Sequence, residues 1–505
     1  MTRISQREQC AVFAARNTAA PMWRPTLFVL CLCLLVLAQS AAVAATQAGS
    51  DASSGSGQNA SVILFAPATP ALNNPVDGLH SAGSDPVTVN LTVYDSHGHV
   101  MQPSESHPLH VHVYGAPDGV ISPIDSVLTS GTSVTFTYNG GDFPNNMEIA
   151  AWMDDPATGG ASLGTTLFVH ANRPACGPGT ASFPLKVTSN VPNEIQVKAV
   201  VGADNPTQSD FKTFTIDTGS LGVIVTKAGL VMGDNVHGPG ARGQKFYDSS
   251  GFVFTGNYYL APVSVQLQDG TFVQSNPIII LAVDGVHCQS GYKKCHTSGK
   301  ADLHYLGVGF DRNTTGTGDL FDSPSENAFL ELTDSQNGLD INGGYILSSS
   351  GMTVGLTAEN TSGFNNVTLN PNPNVPGDWN PEPGCFSFPG LDGAPKFCGN
   401  LLLDVGISEM FMDAAYQNWP TGSYDPNHKV PDGVEMKIQA GPANNPAMSY
   451  EFSAVQPPEQ PTGPAPTYAQ WINDSTIFVN TGRRPLLSFD YFYSGRCGVV
   501  GYKPN

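Results

Sequence analysis

The sequence predicts an all-β protein in which a β-sandwich precedes a larger β unit built from two similar halves. Three observations predict it. Charged residues are only 13% of the 505, while Gly (54) and Pro (40) are abundant, a balance that suits short strands and tight turns rather than long helices. Runs alternating between apolar and polar residues recur through the first part of the chain. Further on, an Asp-x-Gly element occurs twice in matched apolar surroundings. With 40% hydrophobic residues the chain can bury sizeable cores, and its length is enough for two or three domains.

The N-terminus reads as an export signal. Arg3, Arg7, Arg16 and Arg24 give a basic lead, an apolar run covers 27–37, and Ala42-Val43-Ala44 has the small-x-small form of a cleavage site. Residues 1–44 are therefore expected to leave, placing the protein outside the cell or in the cell envelope or periplasm. A retained N-terminal membrane anchor is the rival reading, and the shortness of the apolar run opposes it. Residues 45–60, rich in Ala, Ser, Gly and Gln, read as a flexible tether.

The sandwich is expected over 61–175. Val87-Thr88-Val89-Asn90-Leu91-Thr92-Val93-Tyr94, Leu109-His110-Val111-His112-Val113-Tyr114, Ser133-Val134-Thr135-Phe136-Thr137-Tyr138 and Thr165-Thr166-Leu167-Phe168-Val169 have strand periodicity, with turn residues between them. That spacing suggests an immunoglobulin-like β-sandwich, which could serve to dock a surface or protein partner. Pro174 to Pro178 marks a boundary, and the Pro-rich stretches 369–383 and 456–466 read as surface loops.

The formal net charge of −20 leaves no basic patch for a phosphate backbone, so nucleic acid is excluded as a partner. Of nine cysteines, Cys10, Cys31 and Cys33 fall in the leader. The remaining six form an even set, which in an exported chain reads as disulfides. Proximity favours Cys288 with Cys295 and Cys385 with Cys398, leaving Cys176 for Cys497, although fifteen connectivities remain open. Structural zinc is the weaker reading, because no C-x-x-C spacing occurs.

The repeat lies in 176–505. Thr215-Ile216-Asp217-Thr218-Gly219 aligns with Leu402-Leu403-Asp404-Val405-Gly406, and each is followed by an apolar run, Val223-Ile224-Val225 and Met410-Phe411-Met412. Further on, Tyr305-Leu306-Gly307-Val308-Gly309-Phe310 aligns with Gly498-Val499-Val500-Gly501-Tyr502, with Gly307 90 residues after Asp217 and Gly498 94 after Asp404. Two halves, divided here as 176–345 and 346–505, would each bring one aspartate to a shared cleft.

In these features residues 190–505 resemble the pepsin-like aspartic proteases. Phe214 to Ser220 looks like the family's first active-site loop, Leu401 to Gly406 like the second, and Phe246-Tyr247-Asp248-Ser249-Ser250-Gly251 like the flap hairpin that closes over substrate. The resemblance implies a bilobal double β-barrel and an endopeptidase in which Asp217 and Asp404 share one proton and activate water, with no metal and no cofactor. It also implies that Ser220 supports Asp217 and Thr218 bonds across to the other lobe. Gly219 and Gly406 let the loops turn tightly. Tyr247 would be the flap tyrosine, with Tyr258 and Tyr259 as fallbacks. The substrate would be an extended polypeptide bound as a strand.

The second loop departs from the family. Val405 and Ile407 stand where hydroxyl residues are usual, so Asp404 lacks an expected partner, and Ser408 is one residue late to supply it. The tryptophan that many members use to brace the flap tyrosine is also missing after Ser220. The alternative reading is accordingly a catalytically inactive pepsin-like protein that binds peptides, proteins or glycans.

Other chemistries have less support. His97, His99, His107, His110 and His112 read as a solvated, histidine-rich hairpin rather than a metal site. The acidic stretch from Asp334 to Asp340 lacks calcium-loop spacing, and no G-x-S-x-G element appears. Asn90, Asn313 and Asn366 lie in glycosylation acceptor sequences.

Overall fold

The computed structural model describes residues 63–67 and 79–81, most of 86–170 and most of 178–505; the leader, the tether and Cys176 lie outside the described residues. The regular structure described is almost entirely β, with four short 3-10 turns.

Two five-stranded sheets form the first part. In Val87–Tyr94 the inward positions are Val87, Val89, Leu91 and Val93, and in Leu109–Tyr114 they are Leu109, Val111 and Val113. These side chains face one another across the two sheets and close a core with Phe136, Ile149 and Met153. The middle of Met147–Asp155, from Ile149 to Met153, is apolar on both faces. Ile149 and Ala151 enter the sandwich core, while Ala150 and Trp152 turn outward onto the larger unit. There, with Ala161 and Leu163, they meet Ile224, Phe254, Tyr258 and Leu281. Trp152 stacks on His237 with ring centroids 3.8 Å apart, and the Ala161 N–H donates to Pro239 O at 2.7 Å.

The larger unit is made of three sheets. An eleven-stranded sheet carries the first aspartate, a seven-stranded sheet carries the second, and a six-stranded sheet contains both ends of the unit. That last sheet runs in the order Phe183–Pro184, Met352–Val354, Gly344–Leu347, Phe489–Ser494, Val499–Pro504, Asn365–Thr368. One continuous apolar core runs through all three, from Val197 and Ile216 through Tyr345 and Tyr493 to Met412 and Trp471.

The duplication is real, but its second half is not where Gly498 to Tyr502 suggested. In the first half, Tyr305–Val308 lies between Lys212–Asp217, parallel to it, and Leu221–Thr226, antiparallel to it. In the second half Phe478–Asn480 takes that place, parallel to Phe397–Leu402 and antiparallel to Met410–Ala414. Thr215 pairs with Tyr305 as Leu402 pairs with Asn480, and Ile224 pairs with Tyr305 as Phe411 pairs with Asn480. Both registers make Asn480 the counterpart of Tyr305 and Gly482 the counterpart of Gly307. Val499–Pro504 instead belongs to the six-stranded sheet, between Phe489–Ser494 and Asn365–Thr368.

Cys288–Cys295 and Cys385–Cys398 are disulfides, the second joining directly opposed residues of adjacent strands. Cys497 is also disulfide-bonded. Asn90 and Asn366 are exposed, and Asn313 lies outside the described residues. Among the described residues, no helix is long and apolar enough to cross a membrane.

Candidate active site

Each aspartate ends a strand run whose apolar side chains are locked in the core. Ile216 precedes Asp217 and Leu403 precedes Asp404, both nearly inaccessible, so the chain emerges from the core with the carboxylate as its first polar group. The two loops interlock. A Cβ on Gly219 would lie 2.6 Å from the carboxyl atoms of Asp404, and one on Gly406 would collide with Asp217 Oδ1. Only glycine at these positions lets the two carboxyls approach.

The carboxyls are held alike by the backbone. The Gly219 N–H donates to Asp217 Oδ1 at 2.7 Å, and the Gly406 N–H donates to Asp404 Oδ1 at 2.9 Å. Their other oxygens are held differently. The Ser220 hydroxyl donates to Asp217 Oδ2 at 2.7 Å. Opposite, Ile407 offers nothing, and the Asn480 amide donates from Nδ2 to Asp404 Oδ2 at 2.7 Å. Asn480 Oδ1 accepts the Gly482 N–H at 3.0 Å, which fixes the amide so that its NH2 faces the carboxylate. Ser408, one residue later, does not supply the missing partner. Its hydroxyl lies 3.3 Å from that of Thr467, and its N–H donates to Glu409.

Thr218 ties the lobes together. Its hydroxyl donates to Leu403 O at 2.6 Å and accepts the Val405 N–H at 2.9 Å. Val405, fully buried, has no hydroxyl to return the contact. An arginine holds each loop from behind. Arg312 Nε donates to Thr218 O at 3.1 Å, while Arg483 donates from Nε to Ile407 O and from Nη2 to Gly406 O, both at 3.0 Å.

Burial, and then the Asp404 charge, push the Asp217 carboxyl up to about 7, against the opposing pull of its bonds from Ser220 and Gly219.

Tyr247 closes the first strand of the hairpin Arg242–Tyr247/Phe252–Ala261. Its hydroxyl lies 3.5 Å from that of Ser220, and its ring packs against Phe254 and Tyr305, with centroids 5.5 and 5.6 Å away. Tyr258 and Tyr259 are buried in two separate cores.

The structure brings together the candidates Asp217, Asp404, Thr218, Gly219, Ser220, Gly406 and Tyr247 that the sequence singles out. The sequence does not single out Asn480, Gly482, Arg312 or Arg483. A signal existed in the apolar strand leading to Gly482, which follows Asp404 by 78 residues. A cavity lined by Thr218, Arg312, Glu382, Leu403 and Asp413 also opens between the lobes, but neither aspartate lines it.

No family model matches the chain, and no curated protein matches it. Among solved structures, the chain is similar to an aspartic proteinase from Irpex lacteus. The TM-score is 0.42 at 15% identity, over 64% of this chain and 97% of that one.

Proposed function

We propose that the chain is an exported aspartic endopeptidase that hydrolyses extended polypeptides by activating a water between Asp217 and Asp404. The observation that carries this is the meeting of two buried carboxyls from duplicated loops, each oriented by a glycine N–H and by one side-chain donor.

The donors suggest separate roles. A serine hydroxyl can both donate and accept, so Ser220 tolerates either protonation state of Asp217. The Asn480 NH2 only donates, so it favours an unprotonated outer oxygen on Asp404. In this reading Asp404 is the base that takes a proton from the attacking water. Asp217 carries the shared proton, hydrogen-bonds the scissile carbonyl and stabilises the oxyanion as it forms. Tyr247, at the tip of its hairpin, shields the water and orients the substrate. The peptide adds to the cleft as an extended strand. The sandwich, which packs Ala150, Trp152, Ala161 and Leu163 against the first lobe, acts as a built-in brace for that lobe.

The second reading, a peptide-binding protein without catalysis, draws on the hydroxyl-free Val405 and Ile407. Cleavage of an unfolded protein substrate between about pH 3 and 7 separates the two. Activity lost in Asp217→Asn and in Asp404→Asn, and blocked by a statine-type inhibitor, supports the protease. A folded chain that binds the inhibitor but cuts nothing at any pH supports the binding protein.

A further inference from the structure

The histidine-rich hairpin of the sandwich has a geometry that the sequence alone does not give. Val87–Tyr94 and Val100–Met101 pair antiparallel, and the turn between them carries Asp95, His97 and His99. Asp95 Oδ1 accepts the N–H groups of His97 and His99, both at 2.8 Å. The Asp95 N–H donates to His99 O, and Gly98, at φ 77°, lets the chain double back. The backbone therefore fixes both histidines on one side of a closed turn. Their rings stack with centroids 6.1 Å apart. His99 Nδ1 is 3.2 Å and His97 Nδ1 3.8 Å from Asp95 Oδ2.

We propose that Asp95, His97 and His99 form a binding site for a divalent transition-metal ion of the zinc type. One donor atom from each lies within 4.8 Å of the other two, a convergence that no other set of three such residues reaches among the described residues. Zinc holds imidazole nitrogen and carboxylate oxygen at about 2.0–2.2 Å, so modest side-chain rotations close the donors onto one ion. Both rings are exposed. Two imidazoles and one carboxylate select zinc, copper or nickel over magnesium or calcium, which prefer all-oxygen shells. Three protein ligands leave at least one position for water or for a donor from another molecule. The remaining histidines of the segment stand apart from this set, with His112 paired to Asp125 and His107 bonded to Ser106.

The test is calorimetric titration of the purified protein with zinc chloride, then with calcium chloride. A His97→Asn/His99→Asn double variant is measured alongside. Both positions are exposed, so the variant should fold, and a matching melting curve without metal checks this. The proposal expects one equivalent of zinc, no calcium, and at least about a tenfold loss of zinc affinity in the variant. It is overturned if the wild-type protein binds no zinc, if calcium binds as well as zinc, or if the variant binds zinc undiminished, which would place the ion on other histidines.

Discussion

Asn480 Nδ2 lies 2.7 Å from Asp404 Oδ2, in the role that the Ser220 hydroxyl fills for Asp217 on the other side. The two supports come from different places: Ser220 from the aspartate's own loop, Asn480 from the strand that runs beside it. A hydrogen bond to a charged group contributes about 1.5–3 kcal/mol. Asn480→Leu, which keeps the volume and removes the donor, should lower kcat roughly 10- to 100-fold at little cost in KM. Steady-state kinetics on a peptide substrate, with circular dichroism to check folding, measure it. An unchanged kcat would mean that Asp404 needs no outer donor.

Thr218 bonds across to the opposite loop without a return contact, because Val405 cannot reciprocate. Thr218→Val would leave Leu403 O and the Val405 N–H unpaired in a buried interface. Each orphaned group costs about 1–3 kcal/mol, so the variant should lose at least about 2 kcal/mol of stability. Urea unfolding is the check. A loss below about 0.5 kcal/mol would show that the lobes are held by the six-stranded sheet and not by this contact.

The split between what the sequence shows and what it hides follows from how each feature is encoded. Val87, Val89, Leu91 and Val93 announce a half-buried strand because the pleat has a period of two. Asp217 and Asp404 are legible because glycine must follow each at a fixed offset for the carboxyls to meet. Asn480 is not, because its tie to Asp404 depends on strand register, and register is set by pairings between segments 76 residues apart. The misplaced repeat around Gly498 has the same origin. An apolar run interrupted by glycine describes both Phe478 to Gly482 and Gly498 to Tyr502, and only the sheet decides between them. The gathering of Asp95 with His97 and His99 depends on a turn that the residue spacing does not specify.

Activity should fall on the alkaline side as Asp217 loses its proton, with a midpoint near its pKa of about 7. The raised value means that the protonated form is favoured by the folded site and is lost only as pH climbs through it. Ser220→Ala removes a bond that pulls this pKa down, so the alkaline limb of the variant should move to higher pH. A pH profile of kcat measures the shift. Movement toward lower pH would contradict the assignment of the proton to Asp217.

Where the sandwich meets the first lobe, Glu148 is wholly buried. Burial first, then the charges of Glu331 and Glu326, raise its pKa well above that of an ordinary glutamate, and only Thr165 pulls it down. Glu326 and Glu331 are nearly as inaccessible, and the Thr165 and Ser325 hydroxyls lie 3.5 Å apart at the same junction. A folded-state pKa above the unfolded one favours folding when the group is protonated. The contribution is complete below about 4.5, the ordinary glutamate value, and is lost as pH rises toward the folded pKa. Glu382, pushed up to about 8 mainly by burial, acts in the same sense in the seven-stranded sheet, where it accepts a bond from the Tyr502 hydroxyl. Melting temperature should therefore decline between about pH 4.5 and 8. Glu148→Gln, which stays neutral throughout, should flatten part of that decline while leaving the contribution of Glu382. Thermal melts across this range decide it. An identical slope in the wild-type chain and in Glu148→Gln would mean that Glu148 titrates no differently once folded, and that the junction is not stabilised by acid.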